Sequence, residues 1–255
     1  MNAPSQIAAG FADLGVKKAG TPKGKLFLLA ILAGMFIAFA GVGSTVAGAA
    51  VNRLAGACVF PAGLAMVVVA GSELFTGDNL MLVSLLERRI TAGQMLLTLL
   101  IVYLGNFLGS WLVALLAVSG GTLGAFAENV VSAAVAKASL GFGEAVLRGV
   151  LCNILVCIAV WMGAAAKDVP GKILGLSFPI MVFVLSGYEH CVANMYYLPA
   201  GIFAAARYGI AAEGLTWGTY LLRNLLPVTL GNMLGGFAVG LAYWGAYLHK
   251  ARQTV

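Results

Sequence analysis

The sequence predicts an all-α polytopic membrane protein. Six transmembrane helices form an inverted three-plus-three repeat whose second and fifth helices are broken. Three observations carry this. Of 255 residues only 15 are Lys or Arg and 9 are Asp or Glu, so 9% are charged and 61% hydrophobic, where a soluble domain has about a quarter charged. The apolar residues are gathered into charge-free runs of spanning length. Two pairs of motifs recur in the same order in the two halves. Such a chain lacks the polar surface to cover itself in water, and it is too hydrophobic for disorder. Its net charge of +6 is spread too thinly for a basic groove. The expected partner is a lipid bilayer, and no nucleic acid.

The charge-free runs set the spans. Leu26 to Asn52, Leu54 to Ser72, Ile90 to Ala127, Gly149 to Ala166, Ile173 to Tyr188, Cys191 to Ala206 and Asn224 to Leu248 hold no Asp, Glu, Lys or Arg. They predict six segments near 26–50, 57–86, 94–119, 144–166, 172–206 and 223–248. The second and fifth are too long and too polar midway to be simple helices. Residues 26–248 therefore form one transmembrane domain, flanked by an N-terminal segment 1–25 and a tail 249–255. Ile7, Phe11 and Leu14 recur at helical spacing in the first segment and predict an amphipathic surface helix.

Basic residues predict the orientation. Lys17, Lys18, Lys23, Lys25, Arg88, Arg89, Lys167, Lys172, Lys250 and Arg252 fall in segments that an even number of spans puts on one side. Both termini are expected in the cytoplasm, and a bacterial inner membrane is the expected home. Cys58, Cys152, Cys157 and Cys191 lie in apolar stretches without a metal-ligand spacing, so neither metal nor cofactor is expected.

The repeat is short but ordered. Leu104-Gly105-Asn106-Phe107-Leu108-Gly109-Ser110 matches Leu230-Gly231-Asn232-Met233-Leu234-Gly235-Gly236. Gly71-Ser72-Glu73, with Asn79 after it, matches Gly187-Tyr188-Glu189, with Asn194 after it. Three spans per half is odd, so the second half enters from the opposite face. Paired helix breaks in such repeats mark a translocation site. For the glycines alone, close helix packing is the simpler reading. Gly71, Gly77 and Gly187 allow the backbone of a break. Glu73, Thr76, Asp78, Asn79, Glu189 and Asn194 are the expected partners of the backbone groups that a break frees.

His190 is an ionisable group within a span, which marks a functional site. Folding the two breaks together would bring it opposite Thr76. An imidazole can change charge near neutral pH. An anion crossing an apolar passage faces a desolvation cost of several kcal/mol. A weak-acid anion escapes it by taking a proton midway, so one central histidine among hydrophobes points to that class of solute. Lys137 lies in a loop between apolar runs and is expected to draw anions inward.

At these residues the chain resembles the formate/nitrite transporter family along nearly its whole length. Val68-Val69-Ala70-Gly71-Ser72-Glu73-Leu74-Phe75-Thr76-Gly77 looks like its first signature, and Gly149 to Ala159 like its second. Ser186-Gly187-Tyr188-Glu189-His190-Cys191-Val192-Ala193-Asn194-Met195 resembles its central-histidine loop. The resemblance implies a homopentamer of aquaporin-like protomers, each with its own pore for formate, nitrite or hydrosulfide. It implies a substrate pathway of His190, Thr76 and Lys137, with Asn153 and Asn232 buried near the lysine and the pore; Glu189, beside His190 in the sequence, is expected on the same pathway, orienting the ring or capping a broken helix. It further implies an inner constriction of Leu64 and Leu74 beside Phe75, an outer one of Phe60 and Phe183, and an N-terminal segment that covers the cytoplasmic mouth. A neutral-solute pore, such as a water or glycerol channel, is the alternative. The paired Asn-Pro-Ala turns of that fold are missing. No nucleophile–base pair or cofactor motif points to an enzyme.

Overall fold

The computed structural model describes residues 1–249. Of the expected tail, residues 250–255, with Lys250 and Arg252, lie outside the described residues. Among these residues every element is helical: α1 (Pro4–Gly20), α2 (Lys23–Ala50), α3 (Arg53–Val59), α4 (Pro61–Ala70), α5 (Phe75–Asp78), α6 (Leu82–Leu86), α7 (Ala92–Ser119), α8 (Ala127–Ala138), α9 (Phe142–Ala165), α10 (Val169–Ser186), α11 (Cys191–Tyr208), α12 (Trp217–Thr219) and α13 (Leu226–Tyr247), with short 3₁₀ or π-helical turns between some of them. Six helical stretches are long and apolar enough to cross a membrane: α2, α3 with α4, α7, α9, α10, and α12 through α13. The protein is a multi-pass membrane protein.

The second expected segment begins earlier than the charge pattern indicated, at Arg53, because Asn52 caps α3 by accepting from the Ala55 N–H at 2.9 Å. The fifth begins at Val169, where Asp168 accepts from the Gly171 N–H at 2.7 Å. The stretch expected as a loop around Lys137 is instead helix α8. Its buried residues Val130, Val131, Ala134 and Ala138 fall on one helical face, and α8 lies over α11.

One tight helix pair frames each half, α2 with α7 and α9 with α13. A Cβ on Gly109 of α7 would lie 2.1 Å from the Ile31 carbonyl oxygen of α2. A Cβ on Gly231 or Gly235 of α13 would lie 2.2 or 2.3 Å from a carbonyl oxygen of α9 (Val146 or Val150). The glycines of the repeated motif therefore let backbones touch, as small residues do between membrane helices. The chain directions are inverted. The end of α9 lies beside the N-terminus, where the Asn2 N–H donates to Ala165 O at 2.8 Å. The end of α11 lies beside that of α7, where Arg207 donates to Ser119 O at 2.8 Å.

Both breaks form alike. Helix α4 stops where Gly71 turns left-handed at φ 78°, and α10 where Gly187 does so at φ 72°. The chain then runs extended through Leu74 or His190 and re-enters helix at Phe75 or Cys191.

Helix α1 is amphipathic, but its packed face is Ile7, Ala8, Phe11, Ala12 and Gly15, and Leu14 points outward. Ser84 fixes the register: its hydroxyl donates to Phe11 O and Ala12 O at 3.1 and 2.8 Å. A side chain at position 15 would collide with it.

Candidate functional site

The two breaks meet at a pair of side chains. Thr76 Oγ1 on α5 and His190 Nε2, just before α11, stand 3.0 Å apart, both buried. His190 is also the N-cap of α11: its Nδ1 accepts from the Ala193 N–H at 3.0 Å. With Nδ1 accepting, the neutral ring carries its proton on Nε2 and donates it to Thr76 Oγ1. The threonine's own hydroxyl proton is then free for another acceptor. Charging the ring would put a second proton on Nδ1 and cost α11 this cap.

The asparagines of the repeated motif brace the breaks from behind. Asn106 Oδ1 accepts from the Phe75 N–H at 2.9 Å, and its Nδ2 donates to Glu73 O and Ala30 O at 2.9 and 2.8 Å. Asn232 repeats the pattern with the Cys191 N–H, Glu189 O and Gly149 O at 2.8, 2.9 and 2.8 Å. Each amide thus satisfies a helix-start donor and a break carbonyl that membrane depth would otherwise leave bare. The side chains expected to do this, Glu73, Thr76, Asp78, Glu189 and Asn194, are occupied elsewhere; of that group only Asn79 binds break carbonyls, those of Phe75 and Thr76. The Thr76 carbonyl also takes Asn153 Nδ2 at 3.2 Å, which fixes the residue from its backbone.

An apolar shell faces the His190 ring. Ile37, Phe60, Leu64, Leu74, Val156, Ile180 and Phe183 enclose with His190 a cavity of about 10 Å³, room for roughly one water. Phe60 and Phe183 meet edge to face at 5.6 Å and also border a second cavity of about 510 Å³. The four residues assigned to two constrictions thus surround one small chamber, with the phenylalanines on its vestibule side. Phe75 is not part of this lining; its ring packs on Tyr103 at 4.9 Å.

The larger vestibule holds Lys137, Glu189, Arg53, Arg148, Asn194 and Tyr197 among its lining residues. Lys137 Nζ contacts Glu189 Oε1 at 2.8 Å. The other carboxylate oxygen accepts from Asn194 and Asn224 at 2.6 and 3.3 Å, and Asn224 also donates to Lys137 O. So the asparagines beside the lysine are Asn194 and Asn224. Asn153 and Asn232 lie deeper, joined by an Asn153 Nδ2 donation to Asn232 O at 2.6 Å.

On the α1 side, Lys18 reaches into the first break and binds both Glu73 and Asp78. Burial works against its charge, but Asp78 and Glu73 outweigh that and push the ammonium up to about 12.

Arg53, Asn106, Asn224 and this use of Lys18 were not read from the sequence. Asn106 had a signal, since it is the partner of Asn232 in the repeated motif. The others had none, because they act across elements far apart in the chain.

The family model for formate/nitrite transporters matches residues 5–245. The chain is a member of the formate/nitrite transporter family. Within that family it is 38% identical over 272 residues to the formate channel FocA of Escherichia coli K12, covering 97% of this chain and 95% of FocA. A solved pentameric formate channel with formate bound superposes with TM-score 0.78 at 34% identity, over 89% of this chain and 98% of that one. An FNT family ion channel gives TM-score 0.83 at 33% identity, over 95% and 98%. As a formate/nitrite transporter family member, the chain belongs among channels and transporters, with the helix breaks just described at its centre.

Proposed function

We propose that this protein is a channel for a small monovalent weak-acid anion: formate, nitrite or hydrosulfide. The observation that carries the reading is that His190, held by Thr76 at 3.0 Å, faces a chamber otherwise lined by hydrocarbon. Its likeness to formate channels supports the same class of solute. An anion enters from the Lys137 side and passes Phe60 and Phe183. At His190 it takes a proton, which removes several kcal/mol of desolvation cost. The neutral acid then passes Leu64 and Leu74. The ring delivers a proton only from its charged form, so each transfer transiently breaks the Ala193 cap. Thr76 holds the ring and offers its hydroxyl to the acid's oxygen or sulfur.

We further propose a homopentamer in a bacterial inner membrane, with both termini cytoplasmic and residues 1–25 over the cytoplasmic mouth. The solved pentameric relative and the basic residues on the α1 side support this. The test is flux of formate, nitrite and hydrosulfide into proteoliposomes between pH 5 and 8. Flux that rises as pH falls supports proton-linked passage. Rapid water flux with none of the three anions carried would mean a neutral-solute pore.

A further inference from the structure

We infer that Arg53 supplies the free positive charge that gathers anions at the vestibule, and that its fork favours anions with two acceptor oxygens, formate or nitrite, over hydrosulfide. This rests on the channel reading above and names its substrate class more closely.

Four charged residues line the vestibule: Arg53, Lys137, Arg148 and Glu189. Lys137 is held by Glu189 at 2.8 Å. Arg148 is held by Glu144 at 2.5 Å and donates to Gly187 O at 3.3 Å. Each pair presents a dipole whose field decays quickly. Arg53 has neither an acidic partner nor a hydrogen bond among the described residues, and it is exposed. An unpaired charge acts over a Debye length of about 8 Å at physiological salt.

Arg53 also sits where an anion must go. Its guanidinium is close to the second break: a Cβ built on Gly187 would lie 2.9 Å from Arg53 Nη2, and Gly187 is three residues from His190. Helix stability does not explain the residue. As the first residue of α3, its cation faces the electropositive helix end. A guanidinium is a planar, weakly hydrated donor fork that matches two oxygens in one plane. Formate and nitrite offer that pair, whereas hydrosulfide offers a single sulfur.

The test uses wild-type, R53Q and R53K protein in proteoliposomes, with formate, nitrite and hydrosulfide each at dilute and saturating concentration, in low and physiological salt. Expected for R53Q is a ~3- to 10-fold loss of dilute formate and nitrite flux in low salt. Hydrosulfide flux should fall less, and saturating flux should stay within about twofold. R53K should restore the salt-dependent capture but not the preference for two-oxygen anions. A conducting wild type with R53Q indistinguishable from it at dilute formate overturns the assignment alone. So does a loss equal at dilute and saturating anion that R53K does not relieve. An equal loss for all three anions removes the two-oxygen preference. Wild-type vesicles that pass none of the three overturn the channel reading, and this assignment with it.

Discussion

His190 has two tasks that compete for one ring. Nδ1 caps α11 through the Ala193 N–H while Nε2 faces Thr76. Replacing His190 by Ala removes both, with about 1 kcal/mol of stability lost with the cap. Asn separates them, because asparagine is a good N-cap and does not titrate. H190N should melt within about 1 kcal/mol of wild type. Its flux should fall by roughly 10²-fold and become flat between pH 5 and 8. Liposome flux across that range checks this, and an H190N channel with wild-type pH dependence would remove the proton step. Lys18 belongs to the same scale. Its value in the folded protein is raised to about 12 from an ordinary 10.5. The stability it contributes is therefore whole below about pH 10 and is lost as pH climbs through 12. Across pH 6–9 the lysine stays charged and α1 stays clasped.

The broken helices depend on groups that are not their own. Asn106→Ala leaves the Phe75 N–H and the Glu73 carbonyl unpartnered, and Asn232→Ala does the same to the Cys191 N–H and the Glu189 carbonyl, whereas the Ala30 and Gly149 carbonyls keep their intrahelical bonds. A buried group without a partner costs about 1–3 kcal/mol, so each variant should melt clearly lower in detergent, by similar amounts. Helix pairing makes a second claim. Gly109→Ala drives a Cβ into the Ile31 carbonyl of α2, whereas Gly163→Ala meets nothing within 4 Å. The first should cost about 1–3 kcal/mol by overpacking and the second nearly nothing, read from paired thermal melts. Helix α1 is held at its end by Lys18. Lys18→Met strands two carboxylates, the buried Asp78 and the half-buried Glu73, and so should free the segment. Proteolysis of residues 1–25 in K18M at a rate equal to wild type would count against the clasp.

For the whole molecule, the repeat supplies the scaffold and the chemistry arises where the halves differ. Leu74 and His190 occupy the same position, one before each re-entrant helix. One half therefore contributes hydrocarbon there and the other an imidazole. The six spans, the two breaks and their glycines were legible because charge-free runs, left-handed glycines and acids within spans leave local marks. Helix α8 was not, since its alanine-rich sequence is short and interrupted by Glu128, Asn129 and Lys137. Nor was Leu14's outward face, because the spacing of Ile7, Phe11 and Leu14 fits a helical stripe that the register set by Ser84 excludes.

The sequence by itself determined the solvent, the number of spans, the inverted repeat and the residues able to carry protons or charge. These follow from composition and periodicity, which the chain displays along its length. The tertiary structure decided which charges are spent on each other and which remain free. Lys137 is taken by Glu189, Lys18 by Glu73 and Asp78, and among the described residues Arg53 is left open. Those partners lie 52 to 60 residues apart, and Coulomb attraction acts on distance in space, which only the packed helices set.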